Sequence, residues 1–204
     1  MNRDFDIATR RSLLERLRCW DDQASWQDFF DTYWRLIYGV ALKSGLTDDE
    51  AQDVVQDTIA SVARSMPGFR YEPNQCSFKT WLLNMTRWRI VDQIRKRQAA
   101  PASRSALSAD TSLLEQIADP KESGLDRIWN TEWQANVIHM ATQRVKRQVK
   151  AKLYQMFYLH VVKELPVQEV ARRVGANAGQ VYLAKHRVGR LLKREIKRLE
   201  ARSS

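Results

Sequence analysis

The sequence predicts an all-α protein with two helical domains joined by a flexible linker. Over most of the 204 residues, apolar side chains recur at three- and four-residue steps, which is the period of an amphipathic helix. No segment has the alternating pattern of a strand, and seven Gly and five Pro are too few for a turn-rich β fold. Residues 98–123 consist mainly of small and polar side chains, with proline near both ends, which is the composition of a linker.

The part of the chain before the linker is expected to form four helices, over residues 10–20, 24–44, 48–65 and 77–97. Thr47-x-x-Glu50 is a capping box, so it marks the beginning of the third helix. The tripeptide Met-Pro-Gly at 66–68 ends that helix, because proline lacks a backbone donor and glycine favours turns. An irregular loop over residues 69–76 then leads into the fourth helix.

The part after the linker is expected to form four more helices, over residues 125–148, 151–162, 166–174 and 178–201. The last two have the pattern of a helix-turn-helix, since Pro166 suits a first helical turn and Gly175 falls where a tight turn needs a positive φ. The two helices would pack through apolar residues, which are Val167, Val170, Ala171 and Val174 on one helix and Val181, Val188, Leu191 and Leu192 on the other.

The second helix of this motif would present a polar and basic outward face. Side chains of this kind donate to base edges in the major groove and to backbone phosphates. A helical hairpin whose basic face is merely solvated is the alternative. The candidate DNA-contacting residues on this face are Asn177, Gln180, Tyr182, Lys185, His186, Arg187 and Arg190.

The two parts of the chain differ in charge. The chain has 34 Lys and Arg against 24 Asp and Glu, a formal charge of +10. Residues 143–204 hold 16 of the basic residues and four acidic ones, a net charge of +12, so residues 1–142 have a net charge of −2. This asymmetry favours an anion such as nucleic acid as the partner of the second part, and a different role for the first.

No motif of a common catalytic site is found in the sequence, so we expect no enzymatic activity, no cofactor and no metal. Two cysteines, Cys19 and Cys76, are too few for a disulfide framework or a four-ligand zinc site. The N-terminus is too charged for a signal peptide, and no apolar stretch approaches the roughly 18 residues of a membrane span. We therefore expect a cytoplasmic protein without membrane contact.

Two blocks of the sequence resemble the bacterial sigma factors. The runs Phe-Phe-Asp-Thr-Tyr-Trp-Arg-Leu-Ile-Tyr at 29–38, Asp-Glu-Ala-Gln-Asp-Val-Val-Gln at 49–56 and Phe-Lys-Thr-Trp-Leu at 78–82 are similar to region 2. The helix-turn-helix is similar to region 4, and the short extracytoplasmic-function (ECF) type fits best. The resemblance implies a region 2 domain at 1–97, a linker at 98–124 and a region 4 domain at 125–204.

The resemblance also implies core RNA polymerase as a partner, through its β′ coiled coil and its β flap. In region 2, an acidic helix docks on the β′ coiled coil, and acidic and amide side chains opposite a basic helix are favourable interface electrostatics. An ordinary solvated helix face is the alternative. The implied polymerase-binding residues are Asp49, Glu50, Gln52, Asp53 and Gln56.

The loop over 69–76 and the helix after it correspond to the part of the family that melts and reads the −10 promoter element. Aromatic side chains can hold unpaired bases, and cations can contact the backbone. Trp81 is expected in the core, while Trp88 is left open between core and DNA. The implied −10 contacts are Phe69, Tyr71, Lys79, Asn84, Arg87, Trp88 and Arg95, and the outward face of the last helix is the implied −35 contact.

The sequence departs from the family where Gln52 replaces an acid and where Trp88 replaces the frequent Asn. The weaker charge motivates the hypothesis that a serine/threonine kinase phosphorylates Thr58 or Thr47 and restores negative charge. Control by an anti-sigma factor is the other option. A stand-alone helix-turn-helix regulator with a dimerisation or sensing domain, and a protein-interaction adaptor with a basic tail, are the alternative functions.

Overall fold

The computed structural model describes residues 10–68, 77–99 and 124–201. These residues form eight α-helices and no strand, so the predicted all-α class is confirmed. The helices are α1 (Arg10–Arg16), α2 (Gln23–Lys43), α3 (Asp48–Ser65), α4 (Phe78–Ala99), α5 (Gly124–Gln148), α6 (Ala151–Phe157), α7 (Val167–Val174) and α8 (Ala178–Ala201). Among them, none is long and apolar enough to cross a membrane.

Three helix ends differ from the predicted boundaries by two residues or more, and the other boundaries lie within one residue of the prediction. α1 ends at Arg16, and α4 continues to Ala99. α6 ends at Phe157 and is followed by a π-helical turn, Tyr158–Val162. A short 3₁₀ turn, Met66–Gly68, ends α3 where the Met-Pro-Gly sequence predicts a break.

The described chain divides into two compact units, and the division lies inside α5 between Asn136 and Val137. The sequence places the start of the second domain at residue 125, before this helix. The first turns of α5 belong to the first unit because their apolar residues are buried there. Leu125, Trp129 and Trp133 are 2%, 1% and 4% exposed, and the Trp133 ring centroid lies 6.3 Å from that of Tyr33.

The first unit has a continuous apolar core between α2, α3 and α4. Phe29, Tyr33 and Phe78 form an aromatic cluster with centroid separations of 5.0 Å, 6.5 Å and 5.3 Å. Burial of side chains of this size stabilises the fold by about 1.5–3 kcal/mol each. The other fully buried residues of this core are Leu36, Ile37, Val40, Val54, Val62, Met66, Leu82, Ile90 and Ile94.

Two of the helices that form this core have side-chain caps at their N-termini, and the cap of α3 is the capping box that the sequence predicts. The Asp22 carboxylate accepts from the Ser25 backbone N–H at 3.0 Å at the start of α2. The capping box of α3 is complete, since Glu50 N–H donates to Thr47 Oγ1 at 3.4 Å and Thr47 N–H donates to Glu50 Oε2 at 2.8 Å. Such caps satisfy backbone donors that have no partner within the helix.

The second unit has two small apolar clusters and one buried ion pair. Val170, Val181, Ala184 and Met156 form one cluster, and Val188 belongs to the other. The buried positions of Val170, Val181 and Val188 agree with the helix-turn-helix pattern. In the same unit, Glu195 is 3% exposed and accepts from Arg144 Nη1 at 3.4 Å, so this carboxylate serves the fold of the unit.

The turn between α7 and α8 depends on a left-handed glycine. Gly175 has φ 60° and ψ 54°, and the Ala176 N–H donates to Ala171 O at 2.9 Å, which closes the end of α7. Lys152 Nζ donates to Gly175 O at 2.9 Å and holds the turn from outside. Because L-residues avoid this region of backbone space, the predicted need for glycine at this position is met.

Replacement of Gly175 by alanine should destabilise the second unit by about 1–2 kcal/mol, the cost of a left-handed conformation for an L-residue. The structure leaves open space around the added methyl group, so only backbone strain contributes. Urea unfolding followed by far-UV circular dichroism measures the effect.

Gly189→Ala is the matched control, because Gly189 lies inside α8 and its added methyl group also meets open space. This control should instead stabilise by about 0.5–1 kcal/mol through helix propensity. Equal effects of the two substitutions would contradict the role assigned to the turn.

Candidate nucleic-acid and protein interfaces

The outward face of α8 carries every residue that the sequence proposes for it, and all of them are exposed. Val181, Ala184 and Val188 are buried on the inner side of this part of the helix. Tyr182 is 51% exposed and packs edge-on against His160 at 6.2 Å. The exposed set is Asn177, Gln180, Tyr182, Lys185, His186, Arg187 and Arg190.

Two members of this set also have a structural task. Gln180 N–H donates to Asn177 Oδ1 at 2.9 Å, and Asn177 N–H donates to Gln180 Oε1 at 3.1 Å, a reciprocal cap at the start of α8. A base contact by either side chain would compete with this cap. Within the described residues, no comparable hydrogen bond engages Lys185, Arg187 or Arg190. Their long side chains can therefore reach phosphates.

On α4, three of the residues proposed for −10 contacts form one exposed stripe. Asn84, Trp88 and Arg95 are spaced by four and seven residues, so they share a helix face. Trp88 is 64% exposed and therefore lies outside the core of the unit. Trp81 is half-buried, with its ring 5.7 Å from Phe78. The stripe thus combines an aromatic surface with an amide and a cation.

The other two α4 residues proposed for −10 contacts lie against α5. Lys79 Nζ donates to Asn130 Oδ1 at 2.6 Å, and Arg87 Nη2 donates to Asp126 Oδ2 at 3.0 Å. The Arg87 side chain is 14% exposed. These two cations are therefore covered, whereas the sequence treats all five α4 residues alike. Phe69 and Tyr71 lie outside the described residues.

The residues proposed for polymerase binding on α3 fall into two groups. Asp49, Gln52 and Gln56 are exposed. Glu50 instead accepts from Arg97 Nε at 2.8 Å and from Arg97 Nη2, and Asp53 Oδ2 accepts from Gln93 Nε2 at 2.8 Å. Asp53 stays exposed and keeps its charge, because its partner is a neutral amide. The Glu50 charge is paired with Arg97, so the charge available to a partner is smaller than the sequence suggests.

The environment of Glu50 favours its charged form. Burial raises the pKa of Glu50, but hydrogen bonds from Arg97 and Thr47 together outweigh this effect and hold the pKa below its ordinary value. The carboxylate is consequently ionised at neutral pH and stabilises the contact between α3 and α4.

Thr58 does not have the exposure that a phosphorylation site requires, and this corrects the sequence-based hypothesis for that residue. Its side chain is 0% exposed, and Oγ1 is buried without a hydrogen-bond partner among the described atoms. It lies on the inner face of α3, where a phosphate would place about two negative charges in the core. Thr47 is exposed, but its hydroxyl is engaged in the capping box.

An aromatic groove between α2 and α3 was not anticipated from the sequence. It has a volume of about 400 Å³ and is lined by Phe30, Trp34, Tyr38, Gln52, Val55 and Gln56. The Phe30 and Trp34 rings are stacked at 6.2 Å, and Phe30 is 39% exposed. The signal was present in the sequence, because adjacent aromatics such as Phe29 and Phe30 cannot both face one core.

The edge of this groove is held by a polar contact between its two helices. Tyr38 Oη donates to the Asp48 carboxylate, and Gln52 Nε2 donates to the other oxygen of Asp48 at 2.6 Å. The hydrogen bond to Asp48 raises the pKa of the Tyr38 hydroxyl. The aromatic and amide side chains that line the groove suit an apolar segment bearing polar or basic groups. The described residues include no cluster of His, Cys, Asp or Glu that could hold a metal ion.

The first unit matches a known domain family. Residues 29–100 match the family described as Sigma-70 region 2, so this part of the chain is similar to that domain. Among curated proteins, the ECF RNA polymerase sigma factor RpoE of Cereibacter sphaeroides is 29% identical over 91 residues, which are 44% of this chain and 49% of that protein. The chain thus spans about half the length of this relative. The resemblance to ECF sigma factors is confirmed, and region 4 in the second unit stays a prediction.

Replacement of Glu50 by glutamine should lower stability at neutral pH by about 1 kcal/mol, because the variant keeps an acceptor for the cap and loses the charge of a partly exposed ion pair. The pKa of Glu50 is lowered in the folded state, so its contribution is present above the unfolded pKa and is lost as the pH falls through the folded pKa. The stability difference should therefore shrink toward zero in acid. Urea unfolding at a series of pH values measures it.

Asp49→Asn is the matched control, since Asp49 is exposed in the same first turn of α3. It should change stability less at neutral pH, through the helix dipole alone. A Glu50→Gln effect that is equal at neutral and acidic pH would show that the charge is not what joins the two helices.

Proposed function

We propose that this chain is an ECF-type sigma factor that binds core RNA polymerase and directs promoter-specific transcription initiation. The observation that carries the proposal is the Sigma-70 region 2 match over residues 29–100, on a unit whose helices leave two separate exposed surfaces. In this role the chain performs no covalent chemistry, because the polymerase makes the RNA.

The aromatic groove and the exposed polar residues beside it are the proposed docking surface for the β′ coiled coil. Gln52 and Gln56 line the groove, and Asp49 lies one turn before Gln52 on α3. A basic helix with apolar side chains could bury against Phe30 and Trp34 while its cations face Asp49. Since Glu50 and Asp53 are bonded to α4, we assign more of the affinity to the aromatic residues than the sequence did.

The exposed stripe on α4 is the proposed surface for the −10 element. A melted strand offers unpaired bases, and stacking of a base on an aromatic side chain contributes about 1–3 kcal/mol. Trp88 provides such a surface, with Asn84 to hydrogen-bond a base edge and Arg95 to contact the backbone.

The outward face of α8 is the proposed surface for the −35 element. This helix bears exposed cations and follows a turn that has the expected left-handed glycine. This geometry allows the helix to enter a major groove, as in other helix-turn-helix proteins. The β flap of the polymerase is the proposed protein partner of this unit. An anti-sigma factor is the proposed regulator.

Reconstituted transcription tests the proposal directly. Purified chain added to core polymerase should produce run-off transcripts with a defined start from a promoter identified by transcript-start mapping. Trp34→Ala should weaken core polymerase binding by about tenfold or more, since removal of a central aromatic at an interface typically has this effect. Binding is measured by co-purification and by fluorescence titration.

Trp20→Ala is the matched control, because Trp20 is an exposed tryptophan of the same unit that does not line the groove. It should bind polymerase as the parent chain does. A stand-alone repressor or activator would yield no promoter-specific transcript with added core polymerase, and this result would reject the sigma-factor assignment.

Replacement of Arg187 by alanine should weaken duplex binding and reduce the slope of log affinity against log salt by about one, as loss of a single phosphate contact does. Titrations of promoter duplex at several salt concentrations measure both quantities.

Lys197→Ala is the control, because it removes an exposed cation at the far end of α8. We expect the control to leave the slope nearly unchanged. Unchanged affinity and slope for Arg187→Ala would mean that this part of α8 faces away from DNA.

A further inference from the structure

The beginning of α5 packs on α2 and α4 within the first unit. We call residues 124–136 the α5 cap. Its apolar residues Leu125, Trp129 and Trp133 are buried, and Asn136 Nδ2 donates to Thr32 O of α2 at 3.0 Å. The cap is therefore an ordered part of this unit rather than a continuation of the linker.

The cap engages two cations of α4 with groups that resemble those of nucleic acid. Asp126 offers a carboxylate to Arg87 at 3.0 Å, as a phosphate would. Lys79 meets an amide oxygen of Asn130 at 2.6 Å and lies 5.7 Å from the ring centroid of Trp133. An acceptor together with a π face is also what a base presents to a lysine.

A second anchor of the cap lies on α2. Glu132 Oε1 forms an ion pair with Lys43 Nζ at 2.5 Å. A methyl group at Gly39 would lie 2.5 Å from Glu132 Oε2, so the glycine admits this carboxylate close to the helix surface. This anchor involves none of the residues proposed for DNA contact, so it can be substituted without changing them.

The closed position of the cap buries a polar group of the cap itself without a partner in the described part of the chain. The indole Nε1 of Trp129 is buried without a hydrogen-bond partner among the described residues. A buried donor without an acceptor disfavours the state that buries it, and release of the cap would return this donor to water.

We propose that the α5 cap is an autoinhibitory element, which occupies Lys79 and Arg87 in the free protein and which single-stranded promoter DNA displaces in order to reach them. The inference rests on the proposed function, because it assumes that α4 binds the −10 strand. Asn84, Trp88 and Arg95 stay exposed while the cap is closed, so they can make the first contacts with the strand.

A reversible lock on the cap tests this proposal in the full chain. Lys43→Cys and Glu132→Cys are introduced into a Cys19→Ser, Cys76→Ser background and joined by a bis-maleimide reagent whose spacer contains a disulfide. The probe is a mixed-sequence single-stranded DNA that contains photoreactive 5-bromouracil. Mass spectrometry then quantifies the DNA cross-links to α4 peptides and to α8 peptides of the same molecule.

In the locked chain, the yield of DNA cross-links to α4 peptides should fall by about threefold or more, because DNA can no longer shift the cap to the open state. Reduction of the spacer should restore the α4 yield, and the α8 yield should stay constant throughout. Chain that carries the reagent on a single cysteine, at position 43, is the control for the reagent itself.

A second experiment removes the polar contacts between the cap and α4 by substitution, without the cross-linking reagent. Asp126→Asn combined with Asn130→Ala should raise the α4 yield by about two- to fivefold, since it weakens partly exposed contacts and leaves the tryptophans in place. Asp31→Asn removes one exposed charge from α2 and should leave the yield unchanged. Thermal unfolding of each variant verifies that the unit is folded.

Equal yields of α4 cross-links in the locked and the reduced chain would overturn the proposal. The cap would then be a fixed part of the unit, and Lys79 and Arg87 would be structural residues. No α4 cross-link in any state, with α8 still cross-linked, would reject the −10 part of the proposed function together with this inference. The first result, in contrast, leaves the proposed function intact.

Discussion

The first unit depends on the angle of about 100° between successive residues of a helix, applied to a segment with more aromatic residues than one face can hold. On α2, Phe29, Tyr33 and Ile37 fill the core. The same geometry turns Phe30 and Trp34 about 100° away from the core residues that precede them, to a side of α2 where they line the groove together with residues of α3. An apolar surface that remains outside a well-filled core is available to a partner. The groove and the core therefore both result from the spacing of the aromatic residues on α2.

The polar contacts between α3 and α4 affect both the stability of the unit and the surface that it offers to a partner. Glu50 and Asp53 satisfy Arg97 and Gln93, which lie on the side of α4 that faces α3. Their carboxylates fix the relative position of the two helices, and the Glu50 charge is thereby paired within the unit, whereas Asp53 remains exposed. Acidic residues that look equivalent in the sequence are thus divided by packing into those that hold the unit together and those, such as Asp49, that remain on its surface.

The helices could be predicted from the sequence because their signals are local. The capping box at Thr47 and the glycine at 175 act within a few residues, and both are where they were expected. The affiliation of α5 could not be predicted, because the burial of Trp129 against α2 and α4 joins segments that are far apart in the chain. The same applies to the covering of Arg87 by Asp126. The burial of Thr58, in contrast, has a local signal, because Thr58 lies four residues after Val54 and four before Val62 on the buried face of α3.

The charges of the second unit complete the argument for an anionic ligand. Residues 143–204 contain four acidic residues against 16 basic ones. Two of the four are already used within the unit, since Glu195 is buried against Arg144 and Glu169 pairs with Arg173 at 2.5 Å. The internal anions therefore cannot neutralise the cations, and mutual repulsion among them disfavours the compact unit on its own. A polyanion along α8 would relieve this repulsion and release its own counterions, so the proposed DNA binding of this unit draws on the same charge imbalance that weakens the isolated unit.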